Sequence, residues 1–387
     1  MNYRPFGKLD WQVSALGFGC MRLPILDGKT ENIDEALATR MLHHGIDQGI
    51  NYVDTAYPYH KGASEPFVGR ALQGGYRQKV RLATKMPSWL VESAQDFDRF
   101  LNEQLQRLQT DHIDFYLLHA LNAKHWSLLK QFNVLEWVEK AIASGRIGHI
   151  GFSFHDAYPT FEQIVDDYDR WTFCQIQYNY MDINEQAGTK GLRYAAEQGL
   201  AVVVMEPLRG GRLATPPQVV ADLFPQKPIQ RTPADWALQW LWNQTQVTTV
   251  LSGMSTFEQV EQNLVSADTS AVGSLSEKEL KVIVQVRQKY LELCPIPCTQ
   301  CEYCLPCPNG VDIPGNFAMF NEAVMLDDWG GGRWNYNNTD ENKRASACLD
   351  CKECEDKCPQ QIAISEWLPY VHAVLGKESV YDGRRQP

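Results

Sequence analysis

Tyr52-Val-Asp-Thr-Ala-Tyr-Pro-Tyr-His60 begins as a short apolar strand and breaks at Pro58 into a polar loop. The break leaves a carboxylate, Asp54, at the strand's C-terminal end and two phenols, Tyr57 and Tyr59, just beyond it. An Asp that closes a strand before a turn is ordinary loop chemistry. At the C-terminal rim of a buried parallel strand, the same acid and phenol are placed for catalysis in an α/β barrel. The rest of the chain decides between the two.

Outward from this stretch, apolar runs alternate with segments of helical period. The strands predicted are Ala15–Cys20, Tyr52–Asp54, Val80–Thr84, Phe115–His119, His149–Ser153, Phe173–Tyr178, Ala201–Glu206 and Thr248–Ser252. Amphipathic stretches lie between them, at Asp34–Gln48, Ala94–Leu108, Leu128–Ser144, Leu192–Gln198 and Pro233–Trp242. Residues 1–15 alternate around Gly7 and read as a hairpin ahead of the main fold. Strands alternating with helices imply right-handed βαβ units and a parallel sheet. Eight of them favour a closed (β/α)8 TIM barrel over a doubly wound sheet. The first strand runs into Gly-Phe-Gly-Cys-Met-Arg rather than the glycine fingerprint of a dinucleotide-binding Rossmann fold.

A barrel should carry its chemistry where strands end. The second strand ends in Asp54 followed by Tyr59, the third in Ala-Thr-Lys with Lys85, and the fourth in Leu-Leu-His with His119. Each has a dull explanation alone, a solvated end for Lys85 or a hydrogen-bonded loop residue for His119. Ionisable groups at three successive apolar strand ends point to proton transfer. A free phenol titrates near pH ~10, too high for an efficient acid at neutrality. An ammonium about 4 Å away contributes on the order of 4 kcal/mol at an effective dielectric near 20, enough to lower a phenol by up to roughly three units. The expectation is therefore Tyr59 as acid with a lowered pKa, Lys85 as its tuner, Asp54 as the lysine's partner and His119 as the group that orients a substrate oxygen.

The composition, 44% hydrophobic and 21% charged, is that of a soluble globular protein. A net charge of -11 argues against a nucleic-acid partner, which needs a basic face. No apolar run reaches the roughly 20 residues that span a bilayer. The start MNYRPFGKLD has no apolar signal core, so a cytoplasmic location is expected. Of 11 cysteines, Cys20 and Cys174 stand alone in the body, and the other nine fall between Cys294 and Cys358. The chain is thus expected to divide into a barrel, residues 1–290, and a cysteine-rich tail, residues 291–387. Cys20, at the rim of the first strand, reads as a small apolar lining residue.

The motifs Asp-Thr-Ala-x-x-Tyr (Asp54, Tyr59), Ala-Thr-Lys (Lys85) and Leu-Leu-His (His119) resemble the catalytic tetrad of the aldo-keto reductases. Gly-Phe-Ser with Ser153, the segment around Gln175, Met205-Glu-Pro-Leu-Arg-Gly-Gly-Arg-Leu213 and Leu251-Ser-Gly-Met-Ser-Thr-Phe extend the resemblance over roughly residues 1–270. It implies a (β/α)8 barrel, an extended nicotinamide cofactor and reversible hydride reduction of aldehydes or ketones. Position by position, it implies that Ser153 and Gln175 hold the nicotinamide carboxamide and that Met205 stands where many members stack an aromatic ring. Gly19, Cys20, Met21 and Asp54 would also contact the cofactor. Glu206 and Pro207 would also contact the cofactor, and the glycine-rich run Leu208, Arg209, Gly210, Gly211, Arg212 and Leu213 would wrap the pyrophosphate. Gly253, Met254, Ser255, Gln259, Gln262 and Asn263 would face the adenosine. Phe154 replaces an Asn common after the serine, and the basic residue that many NADPH users carry at the positions of Gly253 or Gln259 is missing. NADPH is favoured over NADH on family grounds.

The tail holds Cys298-x2-Cys301-x2-Cys304-x2-Cys307-Pro and Cys348-x2-Cys351-x2-Cys354-x3-Cys358-Pro. The second is the bacterial ferredoxin spacing for a [4Fe-4S] ligand set, and the first is one residue short before its fourth cysteine. Zinc is the alternative, but four cysteines in one run followed by proline favour iron–sulfur. Eight ligands fit two [4Fe-4S] clusters. Resemblance to two-cluster ferredoxins implies that Cys298, Cys301, Cys304 and Cys358 hold one, and that Cys348, Cys351, Cys354 and Cys307 hold the other. Between the runs a helix is expected over Pro314–Asp327 and a polar, glycine-rich loop around Gly330–Asn338, a spacing that resembles helical ferredoxin modules.

The whole chain resembles the iron–sulfur-containing branch of the aldo-keto reductases. The expected function is NAD(P)H-dependent reduction of a small carbonyl compound, with a fused electron-transfer module and room for a redox protein partner. Two other readings stand beside it: a non-catalytic NADP-binding sensor or docking module, and an electron-transfer protein in which the clusters carry the activity. Tyr57, Trp89, Trp126 and Phe154 are the aromatics expected at the rim.

Overall fold

The computed structural model describes residues 1–225 and 231–385. Contacts within the chain define two compact units. One comprises Met1–Gly210 and Ala234–Glu277, the other Gly211–Pro233 and Lys278–Pro387. This division differs from the one expected from composition near residue 291. Residues 211–233 and the helix Glu277–Leu293 contain no cysteine, so a compositional boundary could not find them.

In the first unit, hairpin β1 (Tyr3–Pro5) and β2 (Gln12–Ser14) precedes eight parallel strands. These are β3 (Leu16–Gly19), β4 (Tyr52–Asp54), β5 (Arg81–Met86), β6 (Ile113–Leu121), β7 (Ile147–Phe154), β8 (Phe173–Gln177), β9 (Ala201–Met205) and β10 (Thr249–Gly253). They close in sequence order, with β10 pairing β3. The expected barrel, strand for strand, is the observed one. Continuous apolar strands follow from covering both faces of a parallel sheet. Helices cover the outer face, among them α1 (Glu35–Asp47), α2 (Ser64–Ala71), α3 (Gln95–Arg107), α4 (Ala123–Gln131) and α5 (Val134–Ala143). The stretch expected as one helix over 128–144 is therefore two. Asn133 between them takes a left-handed φ of 55°, which Asn tolerates and which breaks the ladder.

Strand parity decides which end of the barrel is polar. Alternate residues point inward, and the lower layer is apolar: Tyr52, Ala83, Phe115, Leu117, Phe173, Ala201 and Val203. Phe6 of the hairpin plugs this end, its ring centroid 4.6 Å from that of Phe115 and 5.7 Å from that of Phe173. Two residues further along the same strands, the inward positions are Asp54, Lys85, His119, Gln175 and Met205. With its N-terminal end plugged, the barrel opens at the C-terminal rim.

In the second unit, helices Ile313–Leu326, Trp329–Asn337 and Ile364–Val371 enclose a core of Phe317, Phe320, Tyr336, Trp367 and Leu368. The stretch expected as a glycine-rich loop is thus a helix. Asp328 caps it, accepting from the Gly331 N–H at 2.9 Å. A Cβ on Gly332 would meet the Ala323 Cβ at 2.7 Å, so this glycine permits close helix packing rather than a flexible loop. Among the described residues no helix is long and apolar enough to cross a membrane.

Candidate active site and cluster-binding runs

At the rim, Lys85 is fully buried and donates to both Asp54 oxygens, at 2.6 and 2.7 Å, and to the Thr55 carbonyl at 2.8 Å. Its ammonium lies 5.0 Å from the centroid of the Tyr59 ring. That ring meets His119 edge-on, centroids 6.2 Å apart. The four residues expected from three separated motifs form one contiguous group. Burial alone would lower Lys85, but the Asp54 and Tyr59 charges and the hydrogen bonds to both together raise it, and the ammonium stays protonated. Burial lifts the Asp54 carboxyl and the Lys85 charge counters it. His119 is held well below the usual imidazole value by burial, by Lys85 and by His155, so it is neutral near pH 7. Its buried Nδ1 has no partner among the described residues.

Tyr59 departs from expectation. Its pKa is raised, not lowered: burial lifts it, Lys85 lowers it by less, and Asp54 lifts it again. The carboxylate beside Lys85 also opposes part of its field at the phenol.

The turn carrying Tyr59 is fastened by a residue the sequence did not single out. His60 is buried at a left-handed φ of 53°, its Nε2 accepting from the Leu23 N–H at 3.2 Å. Its Nδ1 accordingly donates to the Thr30 carbonyl at 2.7 Å. Behind β5 lies a second unforeseen group. Buried Glu65 on α2 accepts from Thr84 Oγ1 (2.7 Å), Gln104 Nε2 (2.6 Å) and Arg107 Nη1 (3.2 Å). Gln104 also donates to the Lys85 carbonyl at 3.0 Å and accepts from Tyr116 at 2.6 Å. A carboxylate three residues before the core residue Val68, and a Gln on the apolar face of α3, were the sequence hints.

Ser153 and Gln175 face each other in register across β7 and β8. Ser153 Oγ accepts from the Ala120 N–H at 2.8 Å, and the Gln175 amide points its Nε2 at the Met205 sulfur, 3.5 Å away. Gln175 Oε1 is buried without a partner among the described residues. Such an orphaned acceptor beside a hydroxyl suits a ligand carboxamide. Further along the expected cofactor path, the groups are partly committed elsewhere. Arg209 lies 3.4 Å from Asp182, and Arg212 is bound within the second unit by Asp328 at 2.5 Å and Glu322 at 3.4 Å. Gln259 accepts from the Ser255 N–H, Gln262 donates to Glu258, and buried Asn263 donates to Ser252. Met254 and Leu213 are fully buried, while Met21 is exposed. Cys20 is buried and its thiol pushed far up by burial, a lining residue without thiolate reactivity.

Of the rim aromatics expected, Trp89 is partly exposed with its centroid 5.0 Å from His119. Trp126 and Phe154 are instead buried in the core, Trp126 bonded to Asp167 and Phe154 packed on Phe161. Tyr57 turns away to Glu103 and Arg107. Position along the chain gave no parity for these, and parity decides which face a side chain takes.

In the tail, Cys298, Cys301, Cys304 and Cys358 line one cavity, walled by Ile313, Pro314, Phe317, Ile362 and Ile364. Cys307, Cys348 and Cys354 are half-buried against the same apolar core, and Cys351 is exposed. The two runs share a backbone signature. Gln300 and Glu302 take φ of 55° and 63°, and Asp350 and Lys352, at the same positions of the second run, take 56° and 62°. Left-handed non-glycine residues cost of order 1–3 kcal/mol each and cluster at ligand sites. Among the described residues no three ligating side chains converge as tightly as a single ion requires. Tetrahedral zinc brings thiolates to about 3.8 Å of each other, so a ring of cysteines around a cavity suits a cluster better.

Residues 15–288 match the Aldo/keto reductase family, and residues 297–363 match a 4Fe-4S dicluster domain. The chain is 27% identical over 311 residues to the uncharacterized oxidoreductase YrpG of Bacillus subtilis, spanning 70% of this chain and 92% of that one. It is 26% identical to probable aldo-keto reductase 1 of Glycine max, over 72% and 87%. The holo form of aldo-keto reductase AKR11C1 from Bacillus halodurans superposes with a TM-score of 0.61 at 28% identity, over 74% of this chain and 96% of that one. An aldo-keto reductase from Klebsiella pneumoniae in complex with NADPH gives the same TM-score at 26% identity, over 74% and 96%. On the family match over the barrel and its rim, this chain belongs to the aldo/keto reductase family of oxidoreductases, with a 4Fe-4S domain following the barrel.

Proposed function

We propose that the barrel reduces small aldehydes or ketones with NADPH as the favoured reductant, Tyr59 giving the proton. The observation that carries this is the contiguous group Asp54, Tyr59, Lys85 and His119 at the open rim, beside the orphaned Gln175 oxygen. A bound reduced nicotinamide would supply the hydride, with Ser153 and Gln175 holding its carboxamide. Neutral His119 orients the carbonyl oxygen. The Tyr59 hydroxyl donates its proton to that oxygen as negative charge grows on it. The raised pKa means that Tyr59 is loaded with its proton throughout the neutral range, and the developing alkoxide is a far stronger base than a phenolate. Lys85, fixed on Asp54, then stabilises the phenolate that is left.

We assign Cys298, Cys301, Cys304 and Cys358 to one [4Fe-4S] cluster, and Cys307, Cys348, Cys351 and Cys354 to a second. Around the exposed ligands Cys301 and Cys351 lie five acids, Glu302, Asp350, Glu353, Glu355 and Asp356, against Lys352 and Lys357. This favours a redox protein with a basic face as the clusters' partner.

Tyr59→Phe tests the reductase reading. Carbonyl turnover should fall by about 10²–10⁴-fold, the usual contribution of a positioned acid, with NADPH affinity unchanged. Undiminished turnover would remove Tyr59 from the mechanism.

A further inference from the structure

The reductase site needs a cation for its cofactor's phosphates, and the two arginines expected to supply it are both held by acids. Arg22, in the segment between β3 and α1, is placed differently. Its stem covers Gly253 at the end of β10: a Cβ there would come within 3.1 to 3.3 Å of Arg22 Cβ, Cγ and Cδ. Its guanidinium reaches across to the turn that follows β9, where a Cβ on Gly210 would meet Nη2 at 3.1 Å. Among the described residues its ion-pair partner is Glu206, at 4.0 Å, and the side chain is 47% exposed. Ser255 fixes the segment by donating its hydroxyl to the Arg22 carbonyl at 2.8 Å.

Arg22 thus lies in a slot between two glycines, Gly210 and Gly253, that any side chain would narrow. A guanidinium 4.0 Å from Glu206, beyond hydrogen-bond reach, gains little from that carboxylate. Paired phosphate oxygens match its planar fork and would take several donors at once. The cationic end faces Glu206 and Gly210, and only the apolar stem faces Gly253.

Resting on the reductase reading, we propose that Arg22 is the pyrophosphate clamp of the dinucleotide site, gripping NADPH and NADH alike. The test uses the full chain with its clusters. Dissociation constants for NADPH and for NADH are measured by tryptophan fluorescence on wild type, Arg22→Ala and Arg22→Lys. Arg22→Ala should bind both dinucleotides about 10- to 100-fold more weakly, and Arg22→Lys should recover part of that. The KM for the cofactor should rise with kcat at saturation retained, and the melting temperature of the free protein should not move. A loss confined to NADPH would overturn the proposal by moving Arg22 to the 2′-phosphate. Unchanged binding of both by Arg22→Ala would overturn this assignment alone. Wild type that binds neither dinucleotide would overturn the reductase reading and this assignment with it.

Discussion

In the proposed reduction, Tyr59 would release a proton from a site where burial and Asp54 both oppose its ionisation. The sign of the pH dependence follows. A phenol whose pKa is raised stays protonated past its ordinary value of about 10, so the acid form is lost only on the far alkaline side. His119, held well below about 6.5, gains no proton in the neutral range. The profile of kcat/KM for carbonyl reduction should therefore be flat from about pH 6.5 to about 10, with its alkaline limb beyond. An alkaline limb near pH 7 would show that Lys85 governs the phenol after all. The four candidate residues could be picked out in the sequence because Asp54, Lys85 and His119 lie at the ends of apolar strands and Tyr59 follows Asp54 in the next turn. The direction of the Tyr59 shift was not, because it depends on the burial of the phenol and on how far Asp54 offsets Lys85. Arg22, too, was hidden, since nothing in Cys-Met-Arg-Leu-Pro says that the side chain crosses to Gly210 and Gly253.

The elements were read from apolar runs, and the runs fixed strands well because both faces of a barrel strand are covered. Breaks were harder. Asn133 splits a helix through one left-handed residue, and Gly330 to Gly332 suggested a loop where Asp328 in fact starts a helix. Glycine has two uses, freedom and close approach, and composition cannot tell them apart. Gly332→Ala should therefore destabilise the tail by about 1–3 kcal/mol, through its clash with Ala323, despite the better helix propensity of alanine. Chemical unfolding of the cluster-loaded protein, or loss of iron at lower denaturant, checks this. Beneath β5 the Glu65, Thr84 and Gln104 network holds the strand that carries Lys85. Removing the shared acceptor with Glu65→Ala should cost about 2–4 kcal/mol by leaving buried donors unpaired. Urea unfolding measures that cost, and a change below about 0.5 kcal/mol would place the network outside the folded core's needs.

For the whole molecule, the cysteine spacing announced the tail, while the inclusion of residues 211–233 in the tail's unit came only from packing. Arg212 is the residue that shows why: its partners Asp328 and Glu322 lie more than a hundred positions away. The ligand assignment predicts about eight irons per chain, falling to about four in Cys358→Ser, which removes a ligand of the cluster held by the first run. Iron analysis with EPR decides it, and a Cys358→Ser protein that keeps full iron would refute the exchange of fourth ligands. The central claim is that the barrel moves two electrons as hydride to a carbonyl. The most direct measurement is anaerobic turnover of NADPH deuterated at nicotinamide C4 against a panel of small aldehydes and ketones, with cluster oxidation state followed by EPR. Deuterium on the carbonyl carbon of the alcohol, one per NADPH consumed, with the clusters unchanged, is the predicted result. NADPH consumption that reduces the clusters and leaves no deuterated alcohol would contradict the claim and make electron transfer the activity of the chain.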